Sequence, residues 1–227
     1  MAYPKRNPRL ALVCATLAAA VATLGDFLML YAVNAGRVEL GLPAPGAAIL
    51  PCGYFLGVIA IPLYGVGFWA VAQMLASKAP RAGRVVLISG VIMAVLGSVI
   101  HGVTGLSIEA QMRAGGAMPD PVTAIFDYGV YLIPLWAAAS IFSCSGSVAF
   151  IWGVAKGNSI LPRFVAVFNP VILTACIGLA GATTPMLRAF LIPASPNVAH
   201  IIFFGLLTVI SFAGRPTGGK KKRRDLS

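Results

Sequence analysis

Two ionisable side chains lie within apolar stretches of the sequence. Asp26 interrupts the stretch VATLGDFLMLYAV, and His101 directly follows VVLISGVIMAVLGSVI. A carboxylate beside an imidazole can exchange a proton with it, which is the requirement for general acid–base catalysis. If these stretches cross a membrane, a charge inside the hydrocarbon costs at least about 2.5–3.5 kcal/mol on insertion scales. The sequence therefore predicts that Asp26 meets His101, Asp127 or a tyrosine across a polar pocket.

The candidate site residues share one predicted depth. At 1.5 Å per residue, Asp26 and His101 each lie about 24 Å from the cytoplasmic ends of their helices, and Asp127 lies about 8 Å inside the outer end of another helix. We therefore predict that these three residues are catalytic. Four aromatic residues are predicted to bind the substrate, and Tyr54 and Tyr131 among them lie near the same level. The four are Tyr54, Tyr64, Tyr131 and Trp136.

An alternative interpretation assigns these residues no chemistry. Under it, Asp26 and His101 form a buried pair that fixes helix register, and Asp127 starts a helix at the interface. His200 lies close to the predicted start of the last helix and is expected at the membrane interface. Glu109 and Arg113 have the i,i+4 spacing of an ordinary helical ion pair.

The composition indicates which elements position these residues. The chain of 227 residues is 59% hydrophobic and 10% charged, whereas soluble domains carry about 25% charged residues. The mean hydropathy is +0.90. Such a composition cannot form a water-soluble surface, so we predict an all-α integral membrane protein. A single transmembrane domain is expected over residues 1–214, followed by a basic cytoplasmic tail over 215–227.

Six stretches are long and apolar enough to cross a membrane, which takes about 20 residues per helix. The first is too long for the apolar region of a signal peptide, so we predict a retained helix. The linker TTPMLRAFLIPASP between the last two is expected to be a short amphipathic or re-entrant segment. The six predicted spans are Leu10–Val33, Ile49–Ala76, Val85–Ser107, Val122–Ala155, Phe164–Ala182 and Asn197–Ala213.

The basic residues predict the orientation. Most of the 17 Lys and Arg residues fall at the two ends of the chain and in alternate loops. By the positive-inside rule both termini are expected in the cytoplasm of a bacterial cell, with the bundle in the inner membrane. The tail sequence KKKRR resembles a nucleic-acid-binding patch. On a membrane protein we instead predict contact with anionic lipids and no nucleic-acid partner.

Small residues at helical spacing predict which helix faces point inward, because they let helices approach closely in lipid. One such face carries Gly53, Gly57 and Tyr64, and another carries Gly97, His101 and Gly105. The four cysteines lie in four different predicted helices, which does not indicate a disulfide framework.

Several functions suit a polar layer beneath the outer surface. The prediction is an enzyme using acid–base chemistry on a lipid, isoprenoid or quinone-like molecule that enters from the outer leaflet. The alternatives are a small proton-coupled carrier or receptor, and a structural accessory subunit. If the protein binds a cofactor, His101 and His200 are the candidate ligands of a haem. The same two histidines with Asp26 and Asp127 are the candidate ligands of a metal ion. The sequence leaves the cofactor and the oligomeric state open.

Short motifs in the first half of the chain resemble an uncharacterised family of small polytopic bacterial membrane proteins. They are Gly25-Asp26, Pro51-x-Gly53-Tyr54, Pro62-Leu63-Tyr64-Gly65 and His101-Gly102. No activity is assigned to that family, so the resemblance implies no reaction. It implies that Asp26, Tyr54, Tyr64 and His101 belong to one shared site.

Overall fold

A computed structural model describes residues 8–32, 41, 46, 48–113, 129–156 and 159–213. Regular structure in these ranges is helical throughout, as the composition predicts. Two 3-10 segments, Ile61–Leu63 and Arg163–Phe168, precede α3 and α6. The seven α-helices are α1 (Pro8–Ala32), α2 (Ile49–Ala60), α3 (Tyr64–Ala76), α4 (Pro80–Arg113), α5 (Gly129–Ala155), α6 (Pro170–Gly181) and α7 (Pro185–Ala213).

Five stretches within these ranges are long and apolar enough to cross a membrane, so the protein is a multi-pass membrane protein. The predicted span Ile49–Ala76 is found with the same ends. Leu10–Val33 and Val85–Ser107 correspond to spans with shifted ends, Val122–Ala155 corresponds to one that is described from Gly129 onward, and the last predicted span forms part of the fifth. The five are Pro8–Ala32, Ile49–Ala76, Pro80–Arg113, Gly129–Ala155 and Phe190–Ala213.

The predicted span Phe164–Ala182 is not one continuous helix. The chain forms a 3-10 segment up to Phe168, and α6 then begins at Pro170. Asn169 is fully buried, and its side-chain oxygen accepts hydrogen bonds from the backbone N–H groups of Val171 and Ile172. Because Asn is a strong N-cap and Pro suits the first helical position, a new helix starts here. The prediction was wrong because hydropathy alone does not detect a cap.

The broken element begins well inside the bundle. α6 has 12 residues, and at 1.5 Å per residue it is about 18 Å long, too short for a hydrocarbon core of about 30 Å. Pro170 at its start borders a small cavity together with Phe68, Gly90 and Phe203. These three lie 8 to 10 residues, or about 12–15 Å, from the nearer ends of their membrane spans. α6 is therefore a half-length helix that starts at mid-depth.

The linker TTPMLRAFLIPASP is also not a separate segment. Most of it forms the first part of α7, which runs through Pro193 and Pro196 to Ala213. This corrects the expectation of an amphipathic or re-entrant piece. Residues expected at the start of the last helix consequently lie more than three turns inside it.

Close helix contacts bring the site residues together. A Cβ atom at Gly25 of α1 would lie 2.6 Å from the carbonyl oxygen of Gly53 in α2, so only glycine permits this approach. α1 runs antiparallel to α7, and the guanidinium of Arg9 lies 5.4 Å from the ring centre of Phe212. The beginning of α1 and the end of α7 therefore lie at the same end of the bundle, as predicted for the two termini.

Candidate functional site

Asp26 of α1 and His101 of α4 face each other in the interior. Their Oδ1 and Nδ1 atoms are 3.4 Å apart, and the two residues are 7% and 6% exposed. The ring of His101 lies against Gly57 of α2, where a Cβ atom would come within 2.1 Å of it. The glycine therefore creates the space that the imidazole occupies.

The hydrogen bonds of His101 determine where a proton must lie. The His101 Nε2 atom is 3.3 Å from the carbonyl oxygen of Gly53. A carbonyl oxygen only accepts, so Nε2 carries the hydrogen, and Nδ1 of a neutral ring carries none. A favourable contact between Nδ1 and the carboxyl of Asp26 then requires one proton between them. The pair is thus a shared-proton site, either carboxylic acid with imidazole or carboxylate with imidazolium.

A second pair of side chains holds the other oxygen of Asp26. The side-chain amide of Asn197 in α7 donates to Asp26 Oδ2 at 2.7 Å, and the Tyr64 hydroxyl donates to Asn197 Oδ1, also at 2.7 Å. Sequence reasoning missed Asn197, because it stands at the predicted start of the last helix, where a polar side chain is expected near water. The only available signal was an amide within the apolar span that α7 forms.

His200 lies one turn after Asn197 and is buried. This corrects the expectation of an interfacial histidine, because α7 begins 15 residues earlier, at Pro185. The His200 Nδ1 atom is 2.7 Å from the carbonyl oxygen of Pro196, so Nδ1 carries the hydrogen. The Nε2 atom is buried and has no hydrogen-bond partner in the part of the chain that the structure describes. The ring stacks on Tyr64 with 4.7 Å between centroids.

We call Asp26, Tyr64, His101, Asn197 and His200 the polar cluster. All five line a cavity of about 640 Å³, a volume in the range of small-molecule sites. Most of the remaining wall is apolar. It includes Met29, Leu30, Ile61, Met93, Ile100 and Ile108. The arrangement can hold an apolar molecule and exchange a proton with a polar group on it.

One side of the cavity faces the outer surface of the bundle. α5 packs extensively on α4 but contacts α6 very little. The cavity lies between α5 and the hairpin of α6 and α7, with Ser140 and Cys144 on one side and Thr174 and Pro193 on the other. We call this gap the lateral seam. Ser140, Cys144 and Pro193 are exposed there, so the seam connects the cavity with the lipid-facing side of the bundle.

The structure brings together only part of the predicted set. Asp26, His101, Tyr64 and Trp136 line the cavity. Tyr54 does not, and its hydroxyl instead donates to Glu109 at 3.0 Å, because its side chain turns from α2 toward α4.

Tyr131 is a second predicted member that does not line the described cavity. Tyr131 is 65% exposed, since it projects from the outer face of α5. Asp127 lies outside the described residues, as does the basic tail 215–227. Glu109 and Arg113 form the expected i,i+4 ion pair.

The described residues do not form a metal-binding site. Among them, no group of three or more His, Cys, Asp or Glu side chains could hold an ion. Both ring nitrogens of His101 already have partners within the bundle. Ligation of a haem or metal by His101 would therefore require the loss of one of these contacts.

Comparison with known proteins adds a family but no activity. Residues 7–213 match the model of a "Family of unknown function (DUF6796)". The match covers both halves of the chain, whereas the motifs quoted above cover only the first. No curated protein and no solved structure matches the chain significantly.

Proposed function

Since the chain belongs to DUF6796, a family without an assigned activity, we propose a function from the site itself. The protein is an intramembrane enzyme that holds a lipid-soluble molecule in the cavity and moves a proton to or from it through Asp26 and His101. The observation that carries this proposal is the 3.4 Å contact between these two side chains on the cavity wall.

The geometry of the pair supports proton transfer. General acid–base catalysis needs the donor and acceptor within hydrogen-bond reach, and such distances are often somewhat long when no substrate is bound. Asn197 holds the second oxygen of Asp26, and Gly53 holds the second nitrogen of His101. These contacts orient both groups before a substrate arrives, which reduces the reorganisation needed during the reaction.

The walls of the cavity support a lipid, isoprenoid or quinone-like substrate. They are mainly apolar, and the lateral seam opens partway along α5 and α7, away from the described ends of these helices. With the orientation predicted by the basic residues, the cluster lies in the outer half of a bacterial inner membrane. The substrate would then enter from the outer leaflet.

Turnover of a membrane lipid extract tests this proposal. Purified protein is incubated with the extract, and mass spectrometry follows the species that disappear and appear. Asp26→Asn keeps the size of the side chain but removes the carboxyl group, so turnover should be lost while folding persists. Glu109→Gln makes the same chemical change outside the cavity and should retain turnover.

Two results would contradict the enzyme proposal. The first is equal turnover by the wild type and Asp26→Asn. The second is a lowered thermal unfolding temperature for Asp26→Asn with no substrate consumed by the wild type, which would favour the structural interpretation of the Asp26–His101 pair.

A proton-coupled carrier is the second candidate, because α6 begins at mid-depth beside the cavity. Discontinuous helices that start inside the bilayer are a feature of secondary transporters, where they line the substrate site. Here Asn169 caps the half-helix and Val171, two residues later, lines the cavity. Proton-linked uptake by protein in liposomes would support this function, and turnover without transport would contradict it.

A further inference from the structure

We propose that the cavity binds an apolar molecule whose polar head donates a hydrogen bond and carries no negative charge, namely an alcohol or an amine. The molecule enters from the bilayer through the lateral seam. This inference rests on the proposed function for the location of the site, and it narrows the class of substrate.

The hydrogen bonds of the polar cluster leave mostly acceptors free. The N–H of each histidine and the Tyr64 hydroxyl already donate within the cluster or to backbone. The Asn197 amide has two N–H groups, and one of them donates to Asp26. Unused lone pairs remain on the oxygens of Asp26 and Tyr64, so acceptors outnumber the single spare N–H.

His200 provides an independent indication of a missing donor. Its Nε2 atom is a bare acceptor in the tautomer that Pro196 requires, and no described residue donates to it. Buried polar atoms without partners are rare in native proteins, and such an atom indicates a bound water or a ligand. A small movement of this ring within the cavity wall would expose Nε2 to a hydroxyl or amino group.

The charges of the cavity exclude an anionic head. No Lys or Arg is among the described residues that line it, and Asp26 is its only acidic one. Burying a phosphate or carboxylate without a counter-charge is strongly unfavourable, and Asp26 would add to that cost whenever it is ionised. A neutral hydroxyl avoids this cost, and a protonated amine would be attracted to Asp26.

The lateral seam suits the passage of such a head. Ser140 and Thr174 lie on its two sides, and neither makes a hydrogen bond within the described residues, whereas Ser145 on the same helix donates to Ile141. In hydrocarbon a serine commonly satisfies itself in this way. The free hydroxyls at the seam can therefore exchange hydrogen bonds with a head group that moves from lipid to the cluster.

The native cysteines allow a direct test. Cys144 lines the cavity at the seam, while Cys176 on α6 is exposed but does not line it. Two variants each keep one of these cysteines and replace the other three with alanine. Labelling by N-ethylmaleimide in nanodiscs is measured with four probes of equal chain length: 1-hexadecanol, hexadecylamine, hexadecyl methyl ether and palmitate.

We expect the alcohol, the amine or both to slow labelling of Cys144 about tenfold, as a ligand does at roughly ten times its Kd. The ether and palmitate should leave the rate unchanged, and no probe should affect Cys176. Protection by the amine alone indicates an ammonium paired with Asp26, and protection by the alcohol alone indicates a neutral head. Both outcomes support a donating head.

Equal protection of Cys144 by the ether or by palmitate would overturn the proposal, and so would protection by none of the four. Trp136 also lines the cavity, so the part of the tryptophan quenching by a brominated hexadecanol that is lost in Trp136→Phe repeats the test without labelling. The turnover assay is separate. Donor-specific protection without turnover contradicts the enzyme proposal alone, and turnover of an anionic lipid contradicts the head-group proposal alone.

Discussion

The Tyr64 hydroxyl donates to Asn197 Oδ1 at 2.7 Å across 133 positions of sequence. The contact joins the first residue of α3 to the middle of α7. The side-chain amide of Asn197 in turn donates to Asp26 of α1. Because the tyrosine holds the amide oxygen, the amide nitrogen faces the carboxyl group. The orientation of Asp26 toward His101 thus depends on two residues that belong to other helices.

Asn197→Leu should destabilise the protein. The substitution leaves the carboxyl of Asp26 and the hydroxyl of Tyr64 without their partner, and an unsatisfied buried polar group costs about 1–3 kcal/mol. Tyr64→Phe leaves one buried acceptor, Asn197 Oδ1, without its donor and should cost about 1 kcal/mol, the lower end of that range. Denaturant unfolding in detergent measures both. In the double variant the effects should be less than additive, and strict additivity would argue against the chain of hydrogen bonds.

Gly57→Ala should disturb the site specifically. The added methyl group would lie 2.1 Å from the ring of His101, and overpacking of this kind typically costs about 1–3 kcal/mol. Gly178→Ala is the matched control, because a Cβ there would meet no atom within 4 Å apart from its adjacent residues and the local helix backbone. The control should stabilise α6 by up to about 1 kcal/mol through helix propensity. Equal thermal unfolding temperatures for the two variants would refute the close packing of His101.

Asn169→Ala should weaken the start of α6. The variant loses the N-cap bonds to Val171 and Ile172 and the bond to the carbonyl of Ala166. Loss of an N-cap costs about 0.5–2 kcal/mol. Hydrogen exchange of the α6 amides should accelerate, while the amides of α1 serve as the internal reference. Asn169→Ser can keep the cap and should show a smaller effect. Unchanged exchange in the alanine variant would mean that the helix does not start at this residue.

His200→Phe should separate stability from binding. The ring lies among Tyr64, Phe68 and Phe204, so a phenyl group fits the surroundings. The change removes a buried acceptor that lacks a partner, which offsets the lost Nδ1 bond of about 1 kcal/mol. We expect little change in unfolding temperature and weaker protection of Cys144 by 1-hexadecanol. Full protection of Cys144 in this variant would show that His200 does not contact the bound molecule.

Part of the site could be predicted because a charged side chain within lipid is stable only when it faces a polar partner inside the bundle. Asp26 and His101 were expected to face inward from their depth and from the small residues beside them, and they lie 3.4 Å apart. Their catalytic role stays a prediction. Tyr54 shares the same level, yet its hydroxyl bonds to Glu109 instead. Depth along a helix does not specify the direction of a side chain around the helix axis.

The amino-acid sequence by itself determined the membrane class, the helical architecture and the common side of the two ends. These properties follow from hydropathy and charge summed over some twenty residues, and such sums do not depend on neighbours in space. Only the tertiary structure decided that Asn169 starts a half-length helix, and that Asn197 and His200 lie on the cavity wall. Their roles depend on hydrogen bonds and on where α6 and α7 begin, and a cap or a buried contact involves single atoms that composition does not record.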